Sequence, residues 1–159
     1  MQTFRPVPAL LGLVFPGLGH VATGHRGRGM RAMSGVLLLF VTGILVGGID
    51  CVDRKEGRWW FVGQAGCGTI AVGASIANDL LLKSGRAAPL IEMPTPPGAD
   101  PNRASAFKGL AHANDFGTLL VFLAGLLNVC VLLDAAVREP AVEEVRSGRR
   151  AGDAAGGAA

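Results

Sequence analysis

The chain reads as an all-α membrane protein: a polytopic helical bundle of four transmembrane segments, the first short and either Pro-kinked or re-entrant. That reading rests on where charge is missing, how long the charge-free stretches are, and which small residues they contain. Asp, Glu, Lys and Arg make up 17% of the 159 residues, below the ~25% of ordinary domains. None of them falls in 6–24, 32–49, 59–78 or 116–133. A helix rises ~1.5 Å per residue, so runs of this length approach the ~30 Å of a hydrocarbon core. A soluble amphipathic helix would instead carry charge along its outer face. Spans are therefore expected at about 7–23, 31–49, 59–82 and 116–135, forming one membrane domain over 1–137.

The first segment is uncharged from Pro6 to Gly24, but it is interrupted. Pro16 removes a backbone donor, and Gly17 and Gly19 loosen the next turn. Irregular backbone facing lipid is not tolerated, so neighbouring helices must cover this break. A kinked span is favoured over a re-entrant hairpin, and His20 is expected to bond carbonyls freed at Pro16. Residues 7–15 have the apolar character of a signal-peptide core. One basic residue ahead of them and Pro16-Gly17-Leu18-Gly19-His20 behind them argue against cleavage. The segment then runs into Arg26, Arg28 and Arg31, a cluster suited to lipid headgroups.

The second span, "AMSGVLLLFVTGILVGGI", carries Gly43 and Gly47 at GxxxG spacing, which lets helix backbones approach closely. The third opens on the interfacial pair Trp59-Trp60 and holds two small-residue ridges. One is Ala65, Thr69, Gly73 and Ala77; the other is Cys67, Ala71, Ser75 and Asp79. A helix with two such ridges is expected to pack on two sides. Five prolines between Pro89 and Pro101 make 83–103 an extended linker. After it, Ala104, Phe107, Leu110 and Ala111 suggest a short surface helix. Asn114 or Asp115 offers an N-cap for the last span, whose Gly125 is a further packing position. The charged and then Ala/Gly-rich tail from 138 to 159 is expected to be disordered.

Four spans put residues 25–31 and 83–115 on one face and the N-terminus, 50–58 and the tail on the other. Lys and Arg then divide seven to eight, which gives no orientation bias. The acid-free cluster at 25–31 favours placing that loop in the cytoplasm.

The residue pattern offers little chemistry. The glycines at 17 and 19 lack the flanking strand and GK[ST] of a phosphate loop. His20, His25 and His112 have no i, i+4 pair for a metal, and the three cysteines form no CxxC. No nucleophile motif occurs. No cofactor, metal or nucleic acid is expected. Ionisable and amide groups near the spans are the better functional candidates, because burying them in lipid is costly. They are Asp79, Asn128 and Asp134, with Asp79 expected to pair with Arg26, Arg28 or Arg31.

Two resemblances follow from the motifs. "PGLGHVATGHRGRG" resembles the PGxGxxxxGxxxxG signature of the two-transmembrane (TM-two) domain family through Pro16, Gly17, Gly19, Gly24 and Gly29. Val21 and Ala22 stand where that family has an aromatic pair. More broadly, this stretch, the tryptophan-led third span, "IEMPTPP" and "NDFGTLLVFLAGLLNVCVLLDA" resemble a family of small bacterial membrane proteins, domain of unknown function 6677. The resemblance implies an integral membrane protein with no assigned activity, and a multi-pass position in the bacterial cytoplasmic membrane is expected. It also implies that Asp115, Gly117, Thr118, Gly125, Asn128 and Asp134 act as one motif. The expected role is that of a non-enzymatic protein packing in the bilayer with itself or another membrane protein. The alternatives are a small transporter or channel-like subunit using Asp79, Asn128 and Asp134, and, ranked lowest, an enzyme acting on a lipid-linked substrate.

Overall fold

The computed structural model describes residues 4–55, 57–87, 89–94, 96–98, 103–106 and 111–141. They form six α-helices and one small strand pair. The helices are α1 (Pro6–Val14), α2 (Leu18–Ala22), α3 (Arg26–Gly47), α4 (Arg58–Gln64), α5 (Thr69–Asn78) and α6 (Ala111–Val137). Two of them, α3 and α6, are long and apolar enough to cross a membrane, with mean hydropathies of 1.9 and 2.5 over their best windows.

These two helices form the antiparallel axis of the molecule. Gly43 and Gly47 of α3 meet Gly117 of α6 so closely that a Cβ on Gly117 would lie 2.5 Å from Gly47 Cα and 2.6 Å from Gly43 O. The Gly43/Gly47 pair is therefore used inside the chain. Val36 and Phe40 of α3 and Val121 and Ala124 of α6 fill the rest of this seam.

The first segment does not continue as a kinked helix. The backbone N–H of Arg5, just ahead of α1, bonds Ala136 O at 2.8 Å, and the helix runs inward until Val14 O accepts from the Thr69 hydroxyl at 2.7 Å. The chain then turns through Pro16 and Gly17 and returns, so that His20 again faces Asp134 near the end of α6. The turn requires φ +80° at Gly17, a conformation an L side chain resists. Gly19 lets the returning helix lie against α1 and α6, where a Cβ would come 3.0 Å from Ala135 Cβ.

The expected third span also doubles back. α4 runs inward to a 3-10 turn at Ala65–Cys67, and Gly68 reverses the chain at φ +69°. α5 then returns to the end it started from. Asn78 Nδ2 bonds Val52 O at 3.5 Å, and a single π-type turn at Asp79–Lys83 brings Lys83 within 2.6 Å of Asp53. Each half of the chain is thus a helical hairpin followed by a long helix, and the two halves enter from opposite ends. Their tips meet where Leu13 and Val14 touch Gly68 and Thr69.

The remaining expectations change accordingly. Within the expected linker, Leu90–Glu92 is a short strand that pairs antiparallel with Arg103–Ser105, in register Ile91↔Ala104. The surface helix expected there is replaced over 103–105 by this strand, and Phe107 and Leu110 lie outside the described residues. α6 starts at Ala111, so Asn114 and Asp115 sit inside its first turns and do not cap it. Of the tail, Arg138 and Ala141 pack on the molecule, the latter through an amide bond to Thr23 O at 3.0 Å, and 142–159 lie outside the described residues.

Candidate functional site

Helix termini and broken turns leave backbone carbonyls without intrahelical donors, and in an apolar setting each needs another partner. The middle of the molecule is organised around this need. Gly12 O would ordinarily accept from the N–H four residues on, but that residue is Pro16, which has none. Asn128 on α6 supplies the donor: its Nδ2 bonds Gly12 O at 3.0 Å and Gly66 O at 2.8 Å. One fully buried amide therefore clasps a carbonyl from each hairpin. Thr69 does the same for Val14 O from the opposite hairpin. Gly125, one turn earlier on α6, gives α4 room to approach, where its Cβ would crowd Gly63 and Gln64.

At the end formed by α2, the start of α3 and the end of α6, Asp134 collects three basic groups. His20 Nε2 lies 3.3 Å from Oδ2, Arg138 donates to Oδ1 at 3.1 Å, and Arg28 lies 4.0 Å away. His20 is therefore engaged with a carboxylate, because Asn128 and Thr69 already serve the carbonyls it was expected to satisfy. Arg26 is exposed, and Gly24 turns at φ +90° beneath Ala141. Pro16 is buried at the hairpin tip.

At the opposite end Asp79 accepts from Arg54 at 3.0 Å and sits 3.2 Å from Lys55 Nζ. It does not meet the arginines at 26–31, because the doubled-back α5 carries it to the other end. Burial raises the Asp79 carboxyl, but hydrogen bonds and charge from Lys55 and Arg54 outweigh it and hold the pKa below the ordinary carboxylate value. Asp79 and Asp134 lie at opposite ends, with Asn128 between them. The histidines are divided as well: His25 lies 3.4 Å from the Thr23 hydroxyl, whereas His112 lines a cavity at the Asp79 end.

That cavity, of about 550 Å³, lies between α4, α6 and the turn after α3. Asp50, Asp53 and Asp115 contribute carboxylates, Trp60 and Phe116 rings, and Gln64 an amide. Cys51 also lines it; burial first, then the charge of Asp50, pushes that thiol up to about 12. Sequence reasoning missed Gln64, Cys51 and the Asp53–Lys83 pair. A lone Gln in a charge-free run was the available signal.

The outer face carries the Ala65, Thr69, Gly73 and Ala77 ridge of the third segment, so only the other ridge packs inward. Cys67, Ala71 and Ser75 are buried, whereas Thr69 and Gly73 are exposed, and a Cβ on Gly73 would meet nothing within 4 Å. Ala65 and Ala77 flank them half-buried. Together with Leu13, Val14, Val72 and Ile76 this ridge lines an apolar groove beside the hairpin tips.

Such features define a mostly helical protein with two apolar helices of membrane-crossing length. Residues 7–148 match the family described as "Family of unknown function (DUF6677)", and the chain belongs to that family. No curated protein and no solved structure matches it.

Proposed function

We propose that the chain is an integral membrane protein in which α3 and α6 span the bilayer and the two hairpins re-enter it from opposite faces. Its polarity supports this reading. The largest fully buried side chains include His20, Gln64, Asn78 and Asn128, whereas Leu38, Leu45, Val62 and Trp59 are 70% or more exposed. Water would penalise that surface, and hydrocarbon favours it. A core helix of a soluble protein would be mostly buried, but only 22% and 28% of the apolar windows of α3 and α6 are.

Within the membrane, its role is to pack against another copy of itself or a second membrane protein, without chemistry of its own. The observation carrying this is the groove along Thr69 and Gly73. Small residues on a lipid-facing ridge admit a neighbouring helix to close van der Waals contact, and among the described residues nothing covers Gly73, whereas Gly43, Gly47 and Gly125 are used internally. The test is Gly73→Leu, read by subunit counting in vesicles and by proteins co-isolated after mild solubilisation. The variant is expected to fold and lose its partner. A folded Gly73→Leu protein with unchanged assembly would refute the packing role.

A second reading, a small transporter, draws on the two inverted halves, each with a broken apolar segment, since such repeats place substrate sites at their interface. Against it, Asn128 closes the midpoint by tying both tips together. Substrate flux into vesicles that stops on Asn128→Leu in a folded protein would favour this alternative.

A further inference from the structure

The cavity near Asp50 and Asp115 is not used by the packing role, and its ionisable lining is mostly acidic, with Asp50, Asp53 and Asp115 beside His112. Its carboxylates can only accept hydrogen bonds, or attract positive charge, at neutral pH. Asp53 already accepts from Lys83 at 2.6 Å, and Asp50 accepts from Asn114 Nδ2 at 3.4 Å. Asp115 adds a further carboxylate at the exposed rim.

Gln64 is the independent observation. It lines the cavity yet is 1% exposed, and its Nε2 is committed to Cys51 O at 2.9 Å. Its Oε1 is buried with no hydrogen-bond partner among the described residues. A buried acceptor left unpaired costs about 1–3 kcal/mol, so this amide calls for a donor delivered from the cavity. Trp60 supplies an aromatic wall, held edge-on to Phe122 at 5.3 Å between ring centroids. Aromatic faces attract cations as well as apolar groups. Among the described residues no group of three His, Cys, Asp or Glu side chains converges tightly enough for a metal ion.

We propose that this cavity binds a protonated primary amine bearing a small apolar body: the ammonium faces the carboxylates and donates to Gln64 Oε1, and the apolar body rests between Trp60 and Phe116. The volume of about 550 Å³ accommodates such a molecule. An anion would meet the carboxylates of Asp50 and Asp115 beside an Asp53 already paired with Lys83, and a neutral apolar molecule would leave Gln64 unpaired.

The experiment uses the full chain in lipid nanodiscs with Trp59→Phe, so that Trp60 is the only tryptophan. The probe is 2-phenylethylammonium at neutral pH, with 2-phenylethanol as its uncharged counterpart. Trp60 fluorescence and equilibrium dialysis against empty nanodiscs report binding. Saturable binding of the amine is expected, with the alcohol at least about tenfold weaker. Asp115→Asn, at the exposed rim, is expected to weaken the amine about fivefold or more, and Gln64→Leu by a similar factor. Binding that does not saturate, equal affinity for the alcohol, or unchanged affinity in Asp115→Asn would overturn the proposal. Should Gln64→Leu misfold, Asp115→Asn and the alcohol decide the matter. Gly73→Leu is expected to leave amine binding intact, which separates this site from the packing groove.

Discussion

Replacing Asn128 with Leu should destabilise the fold itself, because the side chain holds both hairpin tips. The substitution keeps the volume roughly constant and removes two hydrogen bonds, to Gly12 O at 3.0 Å and Gly66 O at 2.8 Å. Hydrogen bonds between helices in a membrane protein average about 0.6 kcal/mol and reach about 1.7 kcal/mol each. That places the lost bonds at roughly 1–3 kcal/mol. Gly12 O has no alternative donor along its own helix, since Pro16 stands where that donor would be, so an unsatisfied-carbonyl penalty of about 1 kcal/mol or more is added. The expected loss is about 2–4 kcal/mol. Reversible unfolding in mixed micelles of increasing denaturing-detergent fraction would measure it. Thr69→Val, which removes only the 2.7 Å bond to Val14 O, sets the scale for a single bond and should cost roughly a third as much. If Asn128→Leu unfolds within about 0.3 kcal/mol of the parent, well below one such bond, the clasp is not what holds the tips.

Two further expectations concern packing and pH. Gly117→Leu should separate α3 from α6 and cost more than about 3 kcal/mol, because backbone atoms of Gly43 and Gly47 occupy the added space; normal unfolding and expression would contradict the seam. Asp79 has a lowered pKa, so the stability it adds is present above the ordinary carboxylate pKa and fades as pH falls through its folded value. The difference in stability between the parent and Asp79→Asn should therefore shrink on acidification from neutral pH, and a difference independent of pH would refute that linkage.

Much of this was legible from residue types. The charge-free runs located α3 and α6, and Pro16-Gly17 announced the first break. Whether that break kinks or reverses depends on tertiary contacts. The reversal is set by Asn128 and Thr69, residues distant in sequence that supply the missing donors. The second reversal was hidden. Gly66 and Gly68 sit in an uninterrupted apolar run, and glycine is common enough in membrane helices that it does not mark a turn by itself. Reading that run as a straight span moved Asp79 to the wrong end and assigned it the wrong arginines. It also placed His112 on the face of His25. Of the candidate residues, Asn128 and Asp134 were identifiable as amide and carboxylate in apolar surroundings. Their partners came from the hairpin geometry, which one linear pattern does not encode.

The central claim is that two spanning helices and two re-entrant hairpins build this protein. Four full spans would put residues 27 and 93 on the same side of the membrane. Two spans with two hairpins put them on opposite sides, since α3 separates residue 27 from the turn after it and α5 returns residue 93 to that same end. Single cysteines introduced as Gly27→Cys, where an added Cβ meets no described atom within 4 Å, and Met93→Cys, at an exposed position, suit the test. Native Cys51 and Cys67 are buried and are expected to stay silent, whereas Cys130 is exposed and is replaced by Ala in the background used for both variants. Labelling of oriented vesicles with a membrane-impermeant maleimide should modify one position from outside and the other only after the membrane is opened. Modification of both from the same side would contradict the account.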